Sequence, residues 1–265
     1  MSTDDVERKR AFIRTPGKRL YDLSEHELIR EILFGSARLY EFFGFAMTDV
    51  HRLRSDDGWG FLFYANVPRA DLGLTLSGQP GDIDVLIVPH RDGNVYLGKT
   101  AAIEVKRLSL KGPNWDKSPD RYGVTQAKGL LEAGFPYVGI LHLIVHAPGP
   151  AENWQETMTY RVVDHEDHAV FEENVITDAT GWRTADRQLG RLLAQEPDQA
   201  IGLNCVSLSD VTVHNSECVM VSMPNGRPAQ LNRRATKACL DGVAAFMRRM
   251  KSEVARRAVD RIQSK

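Results

Sequence analysis

The pattern of apolar and polar residues in the first half of the chain predicts six elements in the order helix, strand, strand, strand, helix, strand. The first helix begins with a capping box formed by Ser24 and Glu27, after which apolar residues recur at helical spacing. The second helix is stopped by Gly134 and Pro136, and a continuous apolar run typical of a buried strand follows. The expected bounds are about 24–43, 58–67, 83–88, 95–108, 122–133 and 137–145.

The second half of the chain has a weaker pattern. It predicts a helix, two strands and a final long helix at about 184–195, 203–208, 217–223 and 234–262. We therefore expect an α/β fold in a single domain that spans residues 1–265. Its core is expected at about 24–147, and a C-terminal elaboration that ends in the long helix is expected at about 148–265.

Ionisable side chains interrupt the apolar runs of the second and third strands. A turn over 89–94 joins these strands into a β-hairpin or meander, because its Gly and Asn tolerate positive φ. Asp82 and Asp84 share one face of the second strand, and Glu104 and Lys106 share one face of the third strand. Burying such groups costs several kcal/mol each unless they are paired or bind a metal. The carboxylates are typical of a Mg²⁺ site, and a buried lysine with a lowered pKa can stabilise or help deprotonate a metal-bound water.

The order of these motifs resembles that of a known superfamily. Taken alone, Glu104 and Lys106 are also compatible with an exposed ion pair on an edge strand. The series GDIDVLIV at 81–88, AIEVKR at 102–107 and QAKGL at 126–130 is more specific. It is similar to the PD-(D/E)XK nuclease superfamily, the restriction-endonuclease-like fold, and the similarity covers about half of the chain, roughly residues 24–147.

The resemblance implies an αβββαβ core with a mixed central sheet flanked by helices. It also implies cleavage of nucleic-acid backbones that depends on Mg²⁺ or Mn²⁺. Asp84 and Glu104 would bind the metal ion, and Lys106 would be the lysine of the signature. Ile83 stands where the superfamily has proline before its aspartate, which is a common variation, and Asp82 competes with Asp84 for the ligand role.

Two further site residues follow from the same resemblance. Gln126 resembles the glutamine of the RecB-like branch, although Leu130 stands where that branch usually has tyrosine, and the branch is left open. Many members also have a glutamate on the first helix that completes the site. Glu31 is the choice here, because it lies between inward-facing Leu28 and the small Gly35; an ordinary exposed charge is the alternative interpretation.

Charge is almost neutral overall and uneven along the chain. The totals of 34 basic and 35 acidic residues argue against a nucleic-acid binder at first sight. However, residues 99–128 contain 7 basic and 3 acidic residues, and residues 226–265 contain 11 and 3. Residues 151–200 contain 4 basic and 11 acidic residues. The local field decides whether an anionic polymer is attracted, so a nucleic-acid partner is not excluded.

The loop expected at 111–120 follows directly after the Lys106 strand. It carries two cations and one aromatic residue that suit phosphates and bases, namely Lys111, Lys117 and Trp115. An ordinary loop with one anchoring tryptophan is an equally good interpretation. The basic C-terminal run at 226–265 likewise has a plain alternative, a solvated helix face.

Cysteine and histidine spacing argues against a zinc site or a disulfide framework. The three cysteines, Cys205, Cys218 and Cys239, have no ligand or disulfide spacing. His142 and His146 lie on a predicted strand, where four residues separate them by ~13 Å. Residues 1–10 are charged and lack an apolar region, so we expect no secretory signal, and no run approaches the ~18 apolar residues of a membrane span. We expect a cytoplasmic protein with no membrane partner.

The leading hypothesis from the sequence is a metal-dependent deoxyribonuclease that hydrolyses phosphodiester bonds by attack of a metal-activated water. Cleavage of RNA on the same scaffold is a second interpretation. A third belongs to a different class: a non-cleaving nucleic-acid-binding subunit of an antiviral defence or repair complex, with a helicase or other protein partner. The intact set of Asp84, Glu104 and Lys106 argues against this third interpretation.

Overall fold

A computed structural model describes residues 9–13, 18–34, 40–46, 59–74, 82–110, 122–146, 154–164, 169–178, 180–213 and 216–263. The strands in these residues are β1 (Lys9–Ile13), β2 (Trp59–Val67), β3 (Ile83–Arg91), β4 (Asn94–Val95), β5 (Ala101–Leu110), β6 (Tyr137–His146), β7 (Trp154–Asp164), β8 (Ala169–Asp178), β9 (Ile201–Val213) and β10 (Ser216–Ser222). The α-helices are α1 (Glu25–Phe34), α2 (Val124–Glu132), α3 (Thr180–Leu193) and α4 (Lys237–Gln263). Short 3₁₀-helices include Tyr40–Ala46 and Arg69–Leu72.

One mixed sheet organises the fold. Its strand order is β1-β10-β9-β6-β5-β3-β2, and the short β4 pairs with β3. β6 runs parallel to both β5 and β9, whereas the other neighbouring strands are antiparallel. β7 and β8 form a separate antiparallel hairpin. Every residue of β6 is buried, as expected for a parallel strand in a sheet that is covered on both faces. The architecture is α/β.

Helices cover both faces of the sheet. Strand side chains alternate in direction, so the strands present apolar residues to both faces. On one face, Ile87 and Val105 belong to the same apolar core as Ile29 of α1. On the opposite face, Leu86 belongs to the core that contains Leu130 of α2 together with apolar residues of α3 and α4. None of the described helices combines the length and apolar character that a membrane span requires.

The predicted order of six elements is confirmed: α1, β2, β3, β5, α2 and β6 follow one another, with the two-residue β4 between β3 and β5. The capping box is also confirmed. The Ser24 N–H donates to Glu27 Oε2 at 2.9 Å, and the Glu27 N–H donates to Ser24 Oγ at 3.3 Å. The first helix is shorter than expected: α1 ends at Phe34, residues 35–39 lie outside the described part, and Tyr40–Ala46 is a 3₁₀-helix.

Other parts of the fold differ from the expectation. β3 continues to Arg91, so the turn predicted over 89–94 is confined to Asp92 and Gly93, which have φ of 50° and 77°. β1 and the β7–β8 hairpin have no counterpart among the predicted elements. The segment expected as a C-terminal elaboration, 148–265, contributes β9 and β10 to the central sheet, where β9 lies directly beside β6.

Candidate active site

Strands β3 and β5 separate at one end, and the candidate site lies where they separate. Their antiparallel ladder ends at Ile103. Beyond this point the Val105 N–H donates to Asp84 Oδ2 at 2.7 Å. The Arg107 N–H similarly donates to Glu25 Oε2, on α1, at 2.6 Å. Because a buried N–H needs a partner, these two bonds hold both carboxylates beside β5.

Glu104 and Lys106 share one face of β5, as the alternation predicts. Lys106 Nζ lies 2.5 Å from Glu104 Oε1, and the two side chains are 18% and 5% exposed. They do not form an exposed edge-strand pair, because β5 lies between β3 and β6. Gly123, which has φ of 70°, covers this pair, and a Cβ at that position would lie 3.0 Å from Glu104 Cγ. Glycine therefore suits this position both in backbone conformation and in size.

These side chains line a cleft of about 300 Å³. Asp84, Glu104 and Lys106 line it from the sheet, and half-buried Gln126 lines it from the first turn of α2. The remaining lining residues lie just before β3, on β2 and on α1, and are Asp82, Asn66 and His26. The cleft thus brings together every predicted catalytic or metal-binding residue except Glu31.

The negative charges of the two carboxylates of the cleft, Asp84 and Glu104, are only partly neutralised by their surroundings. Burial raises the pKa of Asp84, and the Val105 N–H and the Lys106 charge offset this only in part. Burial also raises the pKa of Glu104, and the charge of Asp84 adds to the rise despite the contact with Lys106. Glu25 raises the pKa of both carboxyl groups further. The cleft therefore holds more negative charge than Lys106 neutralises.

Lys106 does not have the lowered pKa that the sequence suggested. Burial by itself lowers the pKa of Lys106, but Glu104, Glu25 and Asp84 together raise it above the ordinary value. The prediction of a lowered pKa is wrong because it considered burial without the surrounding carboxylates. Lys106 is an ammonium in this cleft, and it is suited to stabilising negative charge rather than to accepting a proton.

The donor set of the cleft fits a hard divalent cation. Val105 occupies one oxygen of Asp84 and Lys106 occupies one oxygen of Glu104, so the other oxygen of each has no hydrogen-bond donor among the described residues. Mg²⁺ usually binds one or two carboxylates and takes its other ligands from water and substrate phosphates. Within the described ranges, no group of three or more His, Cys, Asp or Glu side chains is placed to hold a metal ion. A cation between these two carboxylates therefore needs further oxygen ligands.

Two predicted site residues differ in position from the expectation. Asp82 is exposed and precedes β3, which begins at Ile83, so it lines the cleft from outside the strand. Glu31 lies on α1 and is not among the lining residues; the α1 carboxylate whose charge acts on the site is Glu25. The loop at 111–120, with Lys111, Trp115 and Lys117, lies outside the described residues.

Three residues of the site were not identified from the sequence: Glu25, His26 and Asn66. Glu25 and His26 belong to the first turn of α1, and their proximity to the sheet depends on how that helix docks, which no local pattern encodes. Asn66 had a usable signal, because asparagine is depleted in strands and here interrupts an aromatic and apolar strand.

A buried histidine supports the site from the neighbouring strand. His142 is the register partner of Lys106 on β6. Its Nε2 lies 3.1 Å from the Tyr122 carbonyl oxygen, and its Nδ1 lies 3.1 Å from Gln188 Nε2. Since a carbonyl accepts and an amide nitrogen donates, Nε2 carries the proton and the ring is neutral. Burial lowers the pKa of His142 to about 4. The ring thereby anchors Tyr122, the residue before Gly123, which lies against Glu104 and Lys106.

Comparison of the chain with protein-family models, with curated proteins and with solved structures finds no match in any of the three. A function for the chain therefore has to be inferred from the cleft itself.

Proposed function

We propose that this chain is a divalent-metal-dependent nuclease that hydrolyses phosphodiester bonds in DNA. The observation that carries the proposal is the convergence of Asp84, Glu104 and Lys106 in one cleft. Two carboxylates with raised pKa values and an ammonium group in contact with one of them suit a cation and an anionic substrate. The order of elements from α1 to β6 supports the resemblance to the PD-(D/E)XK superfamily and a restriction-endonuclease-like fold.

Each residue of the cleft has a role in this proposal. Asp84 and Glu104 would hold Mg²⁺ or Mn²⁺, which when bound polarises a phosphodiester and lowers the pKa of water. Lys106, as an ammonium, stabilises negative charge that develops on the phosphate. Gln126 faces the same cleft from α2, and its amide can donate a hydrogen bond to a phosphate oxygen.

A basic stretch of α4 supports a polyanionic substrate. α4 packs against the segment that follows β2, where Arg249 forms an ion pair with Asp71 at 2.8 Å. Arg248 and Lys251, on either side of Arg249, are exposed. Exposed cations of this kind attract a nucleic-acid backbone, and binding through them is strongly salt-dependent.

Cleavage of a supercoiled plasmid and of labelled DNA oligonucleotides, with Mg²⁺ or Mn²⁺ and with excess chelator, tests the proposal. We expect cleavage that requires the metal ion. Glu104→Gln keeps the size of the side chain and removes its charge, so the rate should fall about 100-fold or more. Asp186→Asn, an exposed position on α3, is the matched control and should cleave like the wild type.

The same assay separates the competing interpretations. A labelled RNA of the same sequence is tested in parallel, and cleavage of RNA alone would replace DNA as the substrate. Wild-type protein that retards DNA in a gel but cuts it with neither metal would favour the non-cleaving binding subunit. Undiminished cutting by Glu104→Gln would overturn the assignment of this cleft as the active site.

A further inference from the structure

We infer that Asn66 supplies a neutral oxygen ligand to the divalent cation that Asp84 and Glu104 would hold. The inference rests on the proposed metal site and adds a third protein ligand to it. Asn66 lies on β2, the edge strand beside β3, and lines the same cleft as both carboxylates.

The pairing of β2 with β3 is interrupted at Asn66. Every residue of β2 from Trp59 to Ala65 has a partner on β3, and pairing resumes at Val67. The omitted pair is Asn66 with Asp84. Asn66 has φ of 53°, a left-handed conformation that asparagine tolerates better than most residues. The backbone of β2 therefore departs from regular β geometry directly opposite Asp84.

The side chain of Asn66 has an unsatisfied oxygen. Its Oδ1 is buried and has no hydrogen-bond partner in the described part of the chain. Leaving a buried acceptor unsatisfied is unfavourable, and coordination to a cation would satisfy it. Amide oxygens are established ligands of hard cations. The orphaned oxygen and the further oxygen ligands that a cation between the two carboxylates needs thus have one common solution.

The ligand set also fits the charge of the cleft. The charge of Asp84 already raises the pKa of Glu104, so a third carboxylate would add to a repulsion that Lys106 does not cancel. A neutral amide supplies an oxygen without adding charge. The remaining volume of the cleft, about 300 Å³ in all, leaves room for water or phosphate oxygens on the same cation.

Calorimetric titration with Mn²⁺ alone, without nucleic acid, tests the inference. Asn66→Gly keeps the left-handed backbone accessible and removes the oxygen, so Mn²⁺ affinity should fall about 10-fold or more. Asn66→Asp restores an oxygen with added charge, so its Mn²⁺ affinity should equal or exceed that of the wild type. Asn225→Gly, at an exposed position before Gly226, is the matched control and should bind like the wild type.

The outcomes separate this inference from the proposed nuclease activity. Wild-type Mn²⁺ affinity in Asn66→Gly overturns the inference, as does the absence of Mn²⁺ binding by the wild type. Mn²⁺ binding that Asn66→Gly weakens, in a protein that cleaves neither DNA nor RNA, supports the ligand role while the nuclease proposal fails. If Asn66→Gly does not fold by circular dichroism, Asn66→Asp decides, because affinity below that of the wild type overturns the inference.

Discussion

The carboxylate of Asp84 accepts a hydrogen bond from the backbone N–H of Val105 at 2.7 Å, across the point where β3 and β5 separate. Val105 stands between Glu104 and Lys106, and its own side chain packs in the core on the opposite face of the sheet. Anchoring this one peptide group therefore places both neighbouring side chains on the face of Asp84. Asp84 thus positions the strand that carries the other two groups and contributes a carboxylate oxygen to the cleft.

Replacing Asp84 by asparagine separates these two roles. Asparagine still accepts the Val105 N–H but brings no negative charge. Burial and the charge of Glu25 raise the pKa of Asp84, so its ionised form destabilises the metal-free fold at neutral pH. We expect Asp84→Asn to be more stable than the wild type by about 1–2 kcal/mol in urea unfolding with chelator at pH 7.5. DNA cleavage should fall about 100-fold or more.

Asp186→Asn is the control for this comparison, and its stability should lie within about 0.5 kcal/mol of the wild type. A metal-free Asp84→Asn protein that is no more stable than the wild type would show that the charge of Asp84 is already compensated. Retained cleavage would show that Asp84 is not part of the active site.

Much of the candidate site follows from local sequence. Glu104 and Lys106 are two residues apart in an apolar strand, so alternation alone places them on one face, and Asp84 stands out in a β-branched run. Glu25 and Asn66 do not follow in the same way. The position of Glu25 depends on how α1 docks against β5, and that of Asn66 depends on one unusual backbone angle.

The fold, like the site, has parts that follow from local sequence and parts that depend on contacts between distant segments. The elements from α1 to β6 have strong apolar patterns because the helices bury one face against the sheet and the sheet is covered on both faces. β1 has a charged sequence and is a strand through its pairing with β10, and β7 and β8 pair with each other outside the main sheet. Pairing between distant segments cannot be detected in the periodicity of either segment alone.

Replacing Lys106 by glutamine should separate catalysis from metal binding. Lys106 holds one oxygen of Glu104 at 2.5 Å, and its removal frees that oxygen for a cation. We expect Mn²⁺ affinity in Lys106→Gln to equal or exceed that of the wild type, while single-turnover DNA cleavage falls about 100-fold or more. Lys128→Gln, an exposed position on α2, should change neither quantity. Loss of Mn²⁺ binding together with cleavage would mean that Lys106 maintains the metal site instead.

Two glycines with similar backbone angles test whether the segment before α2 controls the site. Gly123 and Gly73 have φ of 70° and 67°. A Cβ at Gly123 would meet Glu104 Cγ at 3.0 Å and Lys106 Cε at 3.4 Å, whereas a Cβ at Gly73 would have no atom of the described residues within 4 Å. Alanine at either position should lower stability by about 1–2 kcal/mol, because of the left-handed conformation. Only Gly123→Ala should also lower kcat, by about 10-fold or more. Equal kcat values for the two variants would show that this segment does not set the geometry of the pair.

His142 makes the stability of the fold depend on pH in the acidic range. Burial lowers its pKa to about 4 in the folded protein, whereas an unfolded histidine has a pKa of about 6.5. Above about pH 6.5 the ring is neutral in both states, and its full contribution to stability is present. As the pH falls from about 6.5 to about 4, the unfolded chain takes up a proton that the folded protein excludes. Stability therefore declines by about 1.4 kcal/mol per pH unit from this residue.

Urea unfolding of the wild type and of His142→Gln at pH 7.5 and pH 5 measures this contribution. The variant should be the less stable protein at pH 7.5, because it loses the paired ring between Tyr122 and Gln188. Its deficit should shrink by about 2 kcal/mol at pH 5, since glutamine does not titrate while the wild type is losing stability. Other titrating groups, including Asp84 and Glu104, are common to both proteins and cancel in the difference. A deficit that stays constant between the two pH values would show that His142 is protonated in the folded protein as readily as in the unfolded chain.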